Sequence, residues 1–149
     1  MKLVLLVEDN ELCAKYFRLI LEDALRLKVH CVKDGISALD FLRANKPDLI
    51  HMDIQLPEIS GWETIDRIAA CPELDRIPIC VVSASLLSRD VQVDERHKRA
   101  ATIRRKPIGA PEYAQMVLQL LFPENNTELG QAAALLKAVP GEMGQPIVH

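Results

Sequence analysis

Five short apolar runs, each followed by a longer stretch of different periodicity, constrain the fold of this chain more than any other feature. They are Lys2 to Val7, Val29 to Lys33, Asp48 to Asp53, Ile77 to Ser83 and Ala101 to Arg105. All are strand-length, and the continuous apolar character of the first suits a parallel strand buried on both faces. Between the first two, Leu12, Tyr16, Leu19 and Asp23 trace one side of Glu11 to Leu27, with Cys13, Phe17, Ile20 and Ala24 on an adjacent side. That pattern predicts a helix with a broad apolar face. Further helices are expected from about Ile36 to Ala44, Trp62 to Ala70, Leu87 to Arg99 and Pro111 to Leu121. Pro72 stops the third shortly after its end, and a proline opens the last. Strand and helix alternating through short connections predict an α/β fold: a doubly wound, five-stranded parallel sheet with right-handed crossovers and five helices.

Length and composition fit one domain. The chain has 149 residues and a formal charge of -3, from 18 basic and 21 acidic residues. It lacks the basic footprint of a general nucleic-acid binder. Cys13, Cys31, Cys71 and Cys80 show no Cys-x-x-Cys spacing, so reduced thiols are expected rather than a disulfide framework. The first apolar run ends at Glu8-Asp9, too short for a signal peptide or a membrane span, and the expected location is cytoplasmic. Residues 1–122 are expected to form the domain body. Residues 123–149 read as a C-terminal extension, in which Leu129, Ala132, Ala133, Leu136 and Val139 would stripe a short helix over about 127–139.

The runs end in residues that carry chemistry: Glu8-Asp9, Asp53, Ser83 and Lys106. In an open parallel sheet the carboxyl ends of the strands gather at one edge, so these distant residues can meet in one pocket. Three carboxylates, a hydroxyl and an ammonium make a site for a divalent cation and a phosphoryl group. Adjacent carboxylates at Glu8 and Asp9 repel one another, which Mg²⁺ would relieve; alone, they would equally suit an acidic helix start. Asp53 opens the string Asp53-Ile54-Gln55-Leu56-Pro57-Glu58-Ile59-Ser60-Gly61. Its carboxylate becomes a useful nucleophile only where a cation and hydrogen-bond donors offset the charge that builds on an incoming phosphoryl group. Ser83 has Ser85 as a nearby rival. Lys106 precedes Pro107 and has Arg104 and Arg105 as rivals on charge alone. His30, His51, His97 and His149 lack metal-ligand spacing; His51 reads as a buried strand residue, and Trp62 as packing at the start of the third helix.

This set, in this order at these strand ends, resembles the receiver domain of two-component response regulators, stand-alone type, over roughly residues 1 to 121. The resemblance implies a flavodoxin-like strand order 2-1-3-4-5. It implies that Asp53 is the phospho-acceptor and that Mg²⁺ is held by Glu8, Asp9, Asp53 and the backbone carbonyl of Gln55. Ser83 and Lys106 would then contact the phosphoryl group. The implied partners are a sensor histidine kinase and/or a histidine phosphotransferase, with output through protein contacts, a homodimer among them, and no DNA or membrane binding. Such a domain is not an enzyme, beyond assisting its own phosphorylation and dephosphorylation.

This sequence departs from the family at three points. The position three before the lysine, usually Tyr or Phe and part of the switch, is Ile103. Arg104 follows where an apolar residue is usual, and no glycine precedes the fifth strand. These changes question the usual output route while leaving the chemistry in place. The basic run from Arg96 to Lys106 reads as a charged edge that discourages strand pairing, or as a docking surface. Two alternatives differ in kind. A pseudo-receiver would act through interfaces without phosphorylation, against which the complete acidic set argues. A phosphatase of the haloacid-dehalogenase type needs a second Asp two residues after the nucleophile, where Gln55 stands.

Overall fold

Parallel strands β1 (Leu3–Val7), β2 (Lys28–Val32), β3 (Leu49–Met52), β4 (Ile79–Ser83) and β5 (Thr102–Arg105) form one sheet in the order β2-β1-β3-β4-β5. The computed structural model describes residues 1–86 and 98–124. Each strand begins and ends within two residues of its predicted run. Val7 pairs with Val32 on one side and Met52 on the other, Met52 with Val81, and Ser83 with Arg105. The register therefore brings the carboxyl ends of all five strands to one edge. β3 and β4 are buried along their whole length, whereas β5, at the rim, leaves Arg104 and Arg105 exposed. A charged outer strand is a standard protection against edge pairing.

Four α-helices occur among the described residues: α1 (Glu11–Arg18), α2 (Gly35–Leu42), α3 (Gly61–Ala69) and α4 (Ala110–Leu121). The helix expected over Leu87 to Arg99 falls, for residues 87–97, outside the described residues, as does the extension from residue 125 onward with its expected helix at about 127–139. Asn10, Asp34 and Ser60 cap α1, α2 and α3, each side-chain oxygen accepting from a backbone N–H three residues on. Such caps satisfy donors that the first turn leaves unpaired.

The stretch Glu11 to Leu27, expected as one α-helix, divides. After Arg18 it widens into a π-helical segment, Leu19–Ala24, and Arg26 then takes a left-handed φ of 58° before β2. The wider turn keeps both Ile20 and Leu21 in the core, at 3% and 0% exposure. Leu12, placed on the apolar side by periodicity, is instead 64% exposed. The buried side follows Cys13, Tyr16, Phe17 and Ile20, and Leu12 lies about 100° round the helix from Cys13.

Alternation along β1 sends Val4 and Leu6 to one layer and Leu5 and Val7 to the other. The first layer holds Phe17, Leu21, Tyr113 and Val117 from α1, the π-turn and α4; the second holds Ala38, Ile65 and Ile68 from α2 and α3. Each fully buried Leu, Ile or Phe contributes about 1.5–3 kcal/mol. Gly61 lets α3 start directly beneath the strand end, since a Cβ there would overlap the backbone carbonyl of Asp53. All four cysteines are free thiols. No described helix is long and apolar enough to cross a membrane.

Candidate functional site

Asp53 is the first residue past β3, tied to the sheet by its N–H to the Val7 carbonyl at 3.1 Å. Its side chain is 5% exposed at the floor of a cleft of about 240 Å³ lined by Asp9, Asn10, Asp53, Gln55, Ala84 and Lys106. The carboxylate is held at both oxygens. Oδ1 accepts from the Ser83 hydroxyl at 2.5 Å and from the Gln55 N–H at 3.2 Å, and Oδ2 accepts from Lys106 Nζ at 3.1 Å. Lys106 also donates to Glu8 Oε1 at 2.5 Å, so one ammonium serves two buried carboxylates. Glu8 Oε2 accepts from the Asn10 N–H at 3.2 Å.

Successive residues after β1 part company. Glu8 turns inward and is 1% exposed, whereas Asp9 sits exposed at the mouth. Oxygens of Glu8, Asp9 and Asp53 nevertheless lie within 4.8 Å of one another, close enough to share one cation. Ser83 is fully buried; the half-buried Ser85 lies near it, its Oγ 3.3 Å and its backbone N 3.4 Å from Ser83 Oγ. Lys106 reaches Asp53, and its rivals do not. Arg104 pairs with Glu112 at 3.8 Å, and Arg105 donates to the Leu86 carbonyl. Ile103 is half-buried against the α2/α3 layer. The loop beyond Lys106 is pinned by the Tyr16 hydroxyl, which donates to the Ile108 carbonyl at 2.9 Å.

The electrostatics are uneven. Burial, and then the charge of Asp53, push the Glu8 carboxyl up to about 7 against the pull of Lys106. Burial would raise Asp53 as well, but the Ser83 hydrogen bond and the Lys106 charge outweigh it and hold Asp53 below its usual range. Burial opposes the Lys106 charge, yet the Glu8 hydrogen bond and Asp53 reverse this and raise its pKa. Of the two buried carboxylates, the proton therefore prefers Glu8.

One layer beneath, His51 is fully buried, with Nδ1 2.8 Å from the Tyr113 hydroxyl and its ring centroid 4.6 Å from that of Phe17. Burial and the Lys106 charge push its pKa down to about 3, so the ring is neutral. Trp62 is buried at the start of α3, as its sequence position suggests.

Sequence reasoning did not single out Asn10, which lines the cleft and caps α1. Its place after the acidic pair, at a helix start where Asn is favoured, was the available signal.

A family model of the response regulator receiver domain matches residues 4–117. The chain is 38% identical over 120 residues to the polar-differentiation response regulator DivK of Brucella anthropi, covering 80% of this chain and 96% of that protein. It is similar to the structure of the phosphorylated cyanobacterial phytochrome response regulator RcpA, with a TM-score of 0.71, 28% identity, and 83% and 96% of the two chains covered. It also resembles the receiver domain of the sensor histidine kinase PA1611 from Pseudomonas aeruginosa PAO1, solved with a magnesium ion coordinated in the active site cleft. There the TM-score is 0.72 and the identity 26%, covering 80% of this chain and 97% of that one.

Proposed function

Because the chain belongs to the response regulator receiver domain family, we propose that it accepts a phosphoryl group on Asp53 and signals through protein contacts. The donor is the phosphohistidine of a sensor kinase or histidine phosphotransferase, met in the cytoplasm. The observation that carries this reading is the state of Asp53: a buried carboxylate, held ionised by a hydroxyl and an ammonium, facing an open acidic cleft.

A carboxylate oxygen of Asp53 attacks phosphorus, the phosphorus–nitrogen bond of the donor breaks, and its electron pair leaves with the imidazole. Ser83 and Lys106, which now bind the two oxygens of Asp53, are within reach of the phosphoryl oxygens on the same carboxylate. Their donors oppose the charge that develops in transfer. Three carboxylates around one ammonium leave an excess of negative charge, and burial, with the charge of Asp53 second, raises the pKa of Glu8. This donor set fits Mg²⁺, with Glu8, Asp9, Asp53 and the Gln55 carbonyl as its protein ligands. When bound, the ion would supply positive charge that offsets the negative charge of the carboxylates and of the transferring group. Gln55, where a phosphatase of the haloacid-dehalogenase type needs Asp, leaves no acid two residues from the nucleophile.

Intact-mass spectrometry after incubation with Mg²⁺ and acetyl phosphate tests the reading. One phosphoryl adduct is expected, absent from Asp53→Asn. An unchanged adduct in that variant would move the acceptor elsewhere, and no adduct in the parent protein would favour a pseudo-receiver.

A further inference from the structure

The Ser83 hydroxyl has one proton to give, and it gives it to Asp53. β4 ends at Ser83, and residues 84–86 carry the chain on from it. Ser83 itself is fixed by the sheet, its carbonyl accepting from the Lys106 N–H at 3.1 Å. Past it, the Ser85 contacts are long, at 3.3 and 3.4 Å. The next firm anchor is Leu86, whose side chain is 4% exposed and whose carbonyl accepts from the Arg105 guanidinium at 2.5 Å.

Arg105 is well placed for this. It is the register partner of Ser83 across β4 and β5, so its side chain starts from a fixed base beside the residue it steadies. Side chains alternate along a strand. Arg105 accordingly shares a face with Ile103, while Lys106 turns toward Glu8 and Asp53. Ile103 packs on the same apolar layer as Leu86 but has no side-chain donor. The polar link from that face of β5 to the segment is therefore the guanidinium. A charged donor also holds a carbonyl more strongly than a neutral one.

We propose that Arg105 is a positioning residue for the Ser83 hydroxyl: by holding the Leu86 carbonyl it fixes segment 83–86 and so the aim of Ser83 at the phospho-acceptor. This deepens the reading of Asp53 given above and rests on it. Arg105 touches neither Asp53 nor a substrate; it acts through the segment. In Arg105→Ala the Leu86 carbonyl must turn to water, and Ser85 is left to hold the segment through its long contacts.

Acetyl phosphate kinetics and amide spectra together test this. Arg105→Ala is expected to slow adduct formation by about three- to tenfold, the effect of a slightly misplaced donor. The Mg²⁺ concentration for half-maximal rate should stay unchanged, because the acidic groups are untouched. Arg105→Lys, whose ammonium can donate to the same carbonyl, should restore most of the rate. Arg104→Ala removes the same charge one residue away and should leave the rate alone. In the metal-free protein, the amide resonances of Ser83, Ser85 and Leu86 should shift in Arg105→Ala and not in Arg104→Ala. Unshifted Ser83 and Ser85 amides overturn the proposal, as does equal slowing by Arg104→Ala or failure of Arg105→Lys to rescue. If the parent protein takes no phosphoryl group, the reading of Asp53 fails, and the amide shifts still decide whether Arg105 positions the segment.

Discussion

His51 and Asp53 stand two residues apart, one within β3 and one just past it, at 0% and 5% exposure. The protein treats them in opposite ways. His51 is surrounded by Phe17 and Tyr113 and is stripped of charge. Asp53 is given a hydroxyl and an ammonium and kept charged. Burial penalises both ions; what differs is the supply of donors at each level. Donors for an anion come from residues at the ends of β4 and β5, which the register delivers to the level of Asp53 and not to that of His51. A layer that discharges its polar group thus lies directly under one that concentrates charge.

Removing the cation from the upper layer should have the largest effect. Lys106→Met leaves Glu8 and Asp53 buried with no ammonium between them. The rate of adduct formation should fall by about a hundredfold or more, as when a preorganised donor to the transferring group is lost. Quench-flow or timed intact-mass measurements would read it, and a rate within a few-fold of the parent's would mean that the upper layer does not depend on its charge.

Next in size is the pH dependence of metal-free stability, in which the layers pull against each other. His51, depressed from 6.5 to about 3, contributes stability in full above pH 6.5 and loses it as pH falls toward 3. Glu8, raised from 4.5 to about 7, contributes stability below 4.5 and loses it as pH rises through 7. Each is worth on the order of a few kcal/mol. Urea denaturation across pH 4 to 8 should show the parent's stability flattening or falling at the upper end. In Glu8→Gln it should rise up to about pH 6.5 and then level off without falling. The same profile in both proteins would remove Glu8 from this role.

The smallest change asks whether the layers are separable. Tyr113→Phe deletes the hydroxyl that partners His51 Nδ1 and should cost about 1–3 kcal/mol in urea denaturation, the penalty for a buried group left unpaired. The rate of phosphoryl transfer should stay within about twofold, since no atom near Asp53 changes. A large loss of rate would show that the core layer tunes the site above it.

Much of the upper layer was legible because its residues mark strand ends. An apolar run that stops at Asp53 or Ser83 announces both the strand and the place where its chemistry emerges. The strand order was not legible in periodicity; it came through the family resemblance. The lower layer was half legible. His51 within an apolar run reads as buried, but its partner Tyr113 is 62 residues away, and no local pattern joins them. The π-turn at Leu19–Ala24 escaped for a related reason, because the apolar spacing that it serves also fits an α-helix. Arg105 was visible as a rival to Lys106 and as one charge in a basic edge, but not as a partner of Leu86, since that contact depends on which way each side chain leaves the strand.

The central claim is that Asp53 carries the phosphoryl group. The direct measurement is borohydride reduction of the protein after incubation with Mg²⁺ and acetyl phosphate, followed by peptide mapping, which turns an aspartyl phosphate into homoserine. The account predicts homoserine at position 53 and at no other aspartate, and none when Mg²⁺ is withheld. Homoserine at Asp9, or an unreduced Asp53 in protein that carries the adduct, would contradict it.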